Sequence, residues 1–155
     1  MAQVGSTVPD MVTLRGTCIS IDGHAVLLRG ASGSGKSDLA LRLIDDGGEL
    51  VADDYTEVEQ DGGGGLAAMA PAAIRDLLEV RGLGVIGIGA RPSALLVAVI
   101  DLVPLADVDR MPEPQQVQIL ATCLPCFRLF AFEASAAAKV RLAVRLATGG
   151  IILTK

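Results

Sequence analysis

The octapeptide Gly30-Ala31-Ser32-Gly33-Ser34-Gly35-Lys36-Ser37 constrains this chain more than any other stretch. It fits G-x-x-x-x-G-K-S/T, the pattern of a loop that wraps phosphate. The residue types follow from that task. Glycines let the main chain approach phosphate oxygens closely. Successive N–H groups then converge on one concavity and bind an anion. Lys36 can reach the β- and γ-phosphates, and the Ser37 hydroxyl can ligate Mg²⁺.

The flanks obey the order strand, loop, helix. His24-Ala25-Val26-Leu27-Leu28-Arg29 is a short apolar run that reads as a strand. From Ser37 to Ile44 apolar residues recur at helical spacing, with Asp38 in the first turn and a stop expected at Gly47-Gly48. The dipole of that helix adds to the anion site. Upstream, residues 12–21 alternate and are rich in β-formers, and Asp22-Gly23 is a two-residue turn signal. The chain is therefore expected to open as a hairpin that feeds the loop.

Downstream, Leu50-Val51-Ala52 reads as a short buried strand ended by Asp53-Asp54. Beside a phosphate loop, two adjacent carboxylates can divide the work. One binds or orients Mg²⁺ and the other serves as a base. The plain alternative is a solvated turn. Residues 60–65 form a hairpin tip. Residues 71–80 read as a helix with Pro71 at its start, and residues 81–87 as a glycine-punctuated strand. Glu79 and Arg81 flank that break and, on spacing alone, read as an exposed pair. Residues 93–102 are the most apolar run and the best central strand. Residues 105–114, with Asp107, Asp109 and Arg110, read as a surface loop. Residues 117–122 and 128–132 are further strands. Residues 135–146 form an amphipathic helix with Ser135 as candidate N-cap, ended by Gly149-Gly150.

Strands outnumber helices and several are hairpin-linked. That predicts a single α/β domain over residues 1–155 with a mixed β-sheet, unlike the alternating βα order of adenylate-kinase-like folds. Residues 1–9 read as a frayed end. With aromatics at 3%, the core must be built from Ala, Val, Leu and Ile. A net charge of −5 argues against a nucleic-acid partner. No apolar run reaches transmembrane length, and the N-terminus lacks the basic-then-apolar order of a signal peptide. The cytoplasm is the expected compartment, with no membrane partner. Cys123 and Cys126 form C-x-x-C, but zinc would need Cys18 and His24, the sole histidine, as well. Residues 118–126 read as a strand running into a turn, so reduced, buried thiols are expected.

Three stretches in order now carry a resemblance: the phosphate loop, Leu50-Val51-Ala52-Asp53-Asp54, and Leu78-Glu79-Val80-Arg81-Gly82-Leu83-Gly84-Val85-Ile86. Together they resemble the bacterial HPr kinase/phosphorylase family, whose signature reads E-I/V-R-G-L-G. The resemblance spans roughly residues 12–146 and is to the catalytic C-terminal domain only. The resemblance implies that the N-terminal domain of the long forms is missing, as in the truncated forms of alphaproteobacteria.

The resemblance implies a fold like that of phosphoenolpyruvate carboxykinase, a mixed sheet with a P-loop. It implies ATP-dependent phosphorylation of a serine on the phosphocarrier HPr, or on its nitrogen-type paralogue. It also implies removal of that phosphate by inorganic phosphate, yielding pyrophosphate. Carried over by motif, Gly30, Ala31, Ser32, Gly33, Ser34, Gly35, Lys36 and Ser37 bind ATP, and Lys36 and Ser37 contact phosphate and Mg²⁺. Asp54 matches the base, with Asp53 beside it, and Asp53, Glu79 and Ser37 are the candidate Mg²⁺ ligands. Arg110 matches a catalytic arginine on a mobile loop. The family is often hexameric. Where it has an active-site His before Gly, this chain has Arg15-Gly16, and the arginine loop is shorter. Arg15 either supports phosphate binding or points to solvent. Two rival readings are a small-molecule kinase and a non-catalytic nucleotide-sensing module.

Overall fold

A computed structural model describes residues 10–154, so the expected frayed end at residues 1–9 lies outside the described residues. The strand before the phosphate loop, β3 (His24–Arg29), runs parallel to β9 (Ala94–Leu102) from His24 opposite Leu95 to Arg29 opposite Asp101. β9 is the central strand expected from its apolar run. On its other edge it pairs antiparallel with β6 (Leu66–Met69) at its start and parallel with β11 (Thr122–Leu129) at its end. Among the described residues the main sheet has nine strands. Its path runs β1 (Met11–Arg15), β5 (Tyr55–Gln60), β6, β9, β3, β2 (Thr17–Ile21), β4 (Glu49–Ala52), and β10 (Gln115–Ile119) adds to β11. A separate two-stranded ribbon joins β7 (Leu77–Val80) to β8 (Gly84–Gly87).

Period-2 alternation gives β3 two apolar faces. Val26 and Leu28 face helices α1 (Lys36–Asp45) and α2 (Ala136–Ala147), packing with Leu39, Leu43, Ile100 and Val140. Ala25 and Leu27 face a second core with Cys18, Val51, Val58 and Leu96. The helices end as expected. Past α1, Gly48 N–H donates to Leu43 O at 2.9 Å and Gly47 N–H to Ile44 O at 3.0 Å. Past α2, Gly150 donates to Arg145 O and Gly149 to Leu146 O. Both are Schellman closures, which need a residue at positive φ, here Gly47 and Gly149. Ser135 precedes α2, but its side chain caps no N–H group.

Where β3 meets the loop, Arg29 forks onto Asp101 across the parallel register, Nε to Oδ1 at 2.8 Å and Nη2 to Oδ2 at 3.1 Å. Burial raises the Asp101 carboxyl, but the Arg29 and Cys126 hydrogen bonds outweigh it and hold the group below its ordinary value. The pair therefore stays ionic above that value and is lost only as pH falls through the lowered one. Burial, and then the carboxylate 3.3 Å away, push the Cys126 thiol up to about 11.

Three sequence expectations are corrected. Residues 12–21 are two strands, not one. They break at Gly16, so that β1 pairs with β5 while β2 pairs with β3 and β4. A Cβ on Gly16 would lie 2.8 Å from both Leu27 Cδ1 and Leu28 O, so the chain passes too close there for any side chain. The Asp22-Gly23 turn into β3 forms as expected, with both residues at positive φ. Second, residues 71–80 are not a helix. One 3₁₀ turn (Ala72–Ile74) follows Pro71, Asp76 takes φ +65°, and β7 begins. Leu78 and Val80 are buried while Leu77 and Glu79 are exposed, which is the strand period. The β8 pairing and the Ile88 and Ala90 N–H groups on Asp76 outbid local helix propensity. Third, the C-x-x-C stretch lies inside β11. The reversal comes earlier, at Leu120 (φ +53°), β11 stops at Leu129, and Cys123 is exposed rather than buried.

The strand assignment of β7 makes a direct prediction. Leu78→Ala should destabilise the fold by about 2–5 kcal/mol, the range for a buried leucine, and Leu77→Ala by less than about 1 kcal/mol. Urea unfolding of the two variants checks this, and equal losses would contradict the alternation.

Candidate active site

Gly30–Ser37 joins β3 to α1 and forms one wall of a cavity of about 470 Å³. Gly35 carries the loop into the helix at φ +99°. A Cβ there would stand 2.6 Å from Ala131 Cβ and 3.0 Å from Phe132 Cζ. Arg42 holds that close neighbour in place. It donates to Ala131 O and Glu133 O while pairing with Asp38 Oδ2 at 3.0 Å. Lys36 Nζ folds over the loop and donates to Gly30 O at 2.6 Å and Ala31 O at 3.2 Å. Ser34 Oγ is buried with no partner among the described residues. The N–H groups of Lys36, Ser37 and Asp38 open α1 and lack intrahelical acceptors. An ammonium and the free amide protons of a helix N-terminus are a donor set that fits phosphate.

The opposite wall is the corner after β4. Asp53 is tied at both oxygens. Thr17 Oγ1 donates to Oδ1 at 3.1 Å and Glu79 N–H donates to Oδ2 at 3.0 Å. Asp54 stands at φ +66°, flanked by an i→i+2 hydrogen bond from Tyr55 N–H to Asp53 O at 2.7 Å. That bond and positive φ make Asp54 the apex of the rarer, strained γ-turn. Its carboxylate is half exposed and meets Arg15 Nε only at 3.4 Å. The Arg15 guanidinium also sits over the Tyr55 ring, 5.4 Å from its centroid.

The cavity thus brings together Arg15, Ser32, Gly33, Gly35, Lys36, Ser37, Asp53, Asp54 and Glu79 from the sequence-derived set. Gly30, Ala31 and Ser34 complete the loop behind it. Arg110 is not among the lining residues. It lies on the exposed segment between β9 and β10. Glu79 and Arg81 are both exposed, as their spacing suggested, yet form no ion pair with each other among the described residues. Both line the cavity instead. Sequence reasoning missed Thr17, Arg81 and Phe132 as parts of this site. Arg81 could have been found from its place two residues beyond Glu79, but the partners of Thr17 lie 36 and 37 residues away.

The residues also fit a divalent cation bound together with phosphate. Among the described residues no three His, Cys, Asp or Glu side chains are grouped as a ready-made metal cage. Mg²⁺ does not need one, because it is commonly held by one or two carboxylates plus substrate phosphate oxygens. Ser37, Asp53 and Glu79 share the cavity and can supply that part.

A family model described as HPr Serine kinase C-terminal domain matches residues 7–98 of this chain, which hold the loop, the Asp53-Asp54 corner and Glu79 but not Arg110. Among curated relatives, the HPr kinase/phosphorylase of Brevibacillus brevis is 49% identical over 76 residues, covering 49% of this chain and 24% of that protein. That of Geobacillus kaustophilus is 41% identical over 123 residues, covering 72% and 40%. The chain therefore spans from about a quarter to two fifths of the length of these relatives. The solved HPr(Ser) kinase/phosphatase from Coxiella burnetii superposes with a TM-score of 0.78 over 90% of this chain and 97% of that one, at 23% identity. At that identity the likeness bears on fold, and it agrees with the mixed-sheet P-loop domain read from the sequence.

Two neighbouring substitutions separate exposure from packing at the cavity rim. Arg15→Ala removes an exposed ion pair and should change stability by less than about 1 kcal/mol. Gly16→Ala forces a Cβ against backbone and should cost about 1–3 kcal/mol. Chemical denaturation of both resolves the order, and an Arg15 loss matching that of Gly16 would show that the guanidinium is structural.

Proposed function

The chain belongs to the HPr serine kinase C-terminal domain family, and from that membership and the site geometry we propose that it transfers the γ-phosphate of ATP to a serine of HPr or its nitrogen-type paralogue. The observation that carries this reading is the placement of Lys36 and the Asp53-Asp54 corner on facing walls of one cavity.

The loop N–H groups and Lys36 bind and orient the phosphates, and Lys36 exchanges its two carbonyl contacts for phosphate oxygens. Bound Mg²⁺, held by Ser37, Asp53 and Glu79, would neutralise charge on the transferring group. Asp54 takes the serine proton. It is the carboxylate of the pair with an oxygen free among the described residues, since its one side-chain partner meets Oδ1. A serine hydroxyl attacks poorly unless its proton is accepted during attack. In reverse, an oxygen of inorganic phosphate attacks the phosphorus of phosphoserine, the serine O–P bond breaks, Asp54 returns its proton to the departing serine oxygen, and pyrophosphate is released. Arg15, in the place of a family histidine, supplies a fixed cation toward phosphate but no proton shuttle. The role that resemblance gives Arg110 requires its loop to close over the cavity.

The acceptor is read as a protein because the cavity is open at its rim. Phe132 is 56% exposed there, and the hairpin that carries Glu79 and Arg81 exposes Leu83 and Val85. A small-molecule kinase would enclose its acceptor. A sensor without catalysis has no need of a strained carboxylate in the same cavity as the phosphate loop. The reaction draws on ATP and so belongs in the cytoplasm.

Lys36→Ala should weaken Mg-ATP binding at least about tenfold, since a charge-assisted contact is worth roughly 1.5–3 kcal/mol. Equal affinities by calorimetry would remove Lys36 from the site. Asp54→Asn should keep ATP affinity but slow transfer to HPr serine by roughly 10²–10⁴-fold, the usual worth of a general base. Near-normal transfer by that variant would hand the role to another group.

A further inference from the structure

Thr17 opens β2 and is fully buried, yet its side chain is a hydroxyl. Its one proton goes to Asp53 Oδ1, and a lone pair of the same oxygen accepts the Asp54 N–H, each at 3.1 Å. One atom therefore touches both acidic residues, through the side chain of the first and the backbone of the second. The surrounding bonds fix the rest of the corner. Gly16 N–H donates to Asp54 O at 2.7 Å, and Thr56 Oγ1 donates to Gly16 O at 3.0 Å. Glu79 N–H holds the remaining Asp53 oxygen. The groups left free to meet a substrate are the Asp54 carboxylate and the unused lone pairs of Asp53.

Asp54 would not hold φ +66° on its own. A non-glycine residue pays for that conformation, and it persists only where its surroundings over-determine it. The Thr17 hydroxyl is the side-chain contact that does so, because it gives the part-buried Asp54 N–H its acceptor. We propose that Thr17 is a positioning residue for the phosphoryl-transfer step, whose hydroxyl holds the Asp54 backbone at positive φ and so aims the Asp54 carboxylate across the cavity at the acceptor serine. This rests on the transfer reaction proposed above. It predicts an effect on turnover and none on capture of ATP without Mg²⁺, because Thr17 is not among the residues of the phosphate wall, while its other partner, Asp53, is a candidate Mg²⁺ holder. A misplaced base costs rate even when every catalytic group remains present.

The test uses the full chain with Thr17→Val, which keeps the shape and removes the hydroxyl, and Thr17→Ser, which keeps the hydroxyl. Three readouts are needed: ATP affinity by calorimetry, kcat and KM for transfer to HPr, and hydrogen exchange of the Asp54 amide. Thr17→Val should bind ATP in the absence of Mg²⁺ as the parent does, lose kcat by roughly 10–10²-fold, and lose protection at the Asp54 amide. Thr17→Ser should restore both turnover and protection. Combined with Asp54→Asn, Thr17→Val should add no further loss, since it acts through that carboxylate. If Thr17→Val does not fold, Thr17→Cys takes its place, because a thiol is a weaker donor and acceptor. Unchanged kcat, no rescue by serine, or a fully additive loss on Asp54→Asn overturns the proposal. The amide exchange is read without any acceptor, so a parent chain inactive toward HPr would count against the reaction, while an unprotected Asp54 amide in that parent would count against Thr17.

Discussion

The site depends on the parallel pairing of β3 with β9 in the middle of the sheet. Parallel strands are buried on both faces, and their carboxyl ends point the same way. Arg29 and Asp101 clamp those two ends together by a forked ion pair just where the loop leaves. From that fixed point α1 has one side to pack on, the face where Val26 and Leu28 wait. On the other edge of β3 lies β2, and beyond it β4, both placed by antiparallel ladders with Thr17 opposite Leu28 and Cys18 opposite Ala52. β2 runs opposite to both neighbours. Its first residue therefore comes to the same end of the sheet as the last residues of β3 and β4. The phosphate loop, Thr17 and the Asp53-Asp54 corner are neighbours for that reason, although they come from different parts of the chain.

Much of this was legible beforehand because its causes are local. A glycine-rich loop between an apolar run and an amphipathic helix announces itself in eight residues. The two acids at the end of Leu50-Val51-Ala52 do so in five. The glycine pairs at 47–48 and 149–150 stop both helices by a motif that spans one turn. What stayed hidden has non-local causes. Residues 71–80 carry a helix-like start and adjacent leucines that fit either period, and only pairing with β8 decides for strand. Gly16 looked like an ordinary strand residue until Leu27 and Leu28 were seen against it. Thr17 could not be distinguished from any strand threonine. Its function lies in two bonds that close loops of 36 and 37 residues.

The chemistry divides along the same lines. The phosphate wall is made of backbone and one lysine, so it serves any nucleoside triphosphate reaction and says little about the acceptor. The facing wall carries the acidic groups. Asp53 is anchored at both oxygens by protein donors and keeps its remaining lone pairs for a cation. Asp54 is strained, half exposed and held by its backbone, which suits a group that must meet a proton from outside. Arg15 sits next to it, stacked on Tyr55, where the resemblance places a histidine. On the proposed reading, a permanent cation at that point cannot shuttle a proton but leaves the loop and Lys36 to hold phosphate.

The central claim is that this cavity passes phosphate to a serine of HPr. The most direct measurement offers the chain ATP labelled at the γ-position, Mg²⁺ and purified HPr or its nitrogen-type paralogue, and maps the label by peptide analysis. The account predicts label on a single serine of the carrier protein, dependent on the presence of this chain. Tight ATP binding with no label on either carrier would contradict it.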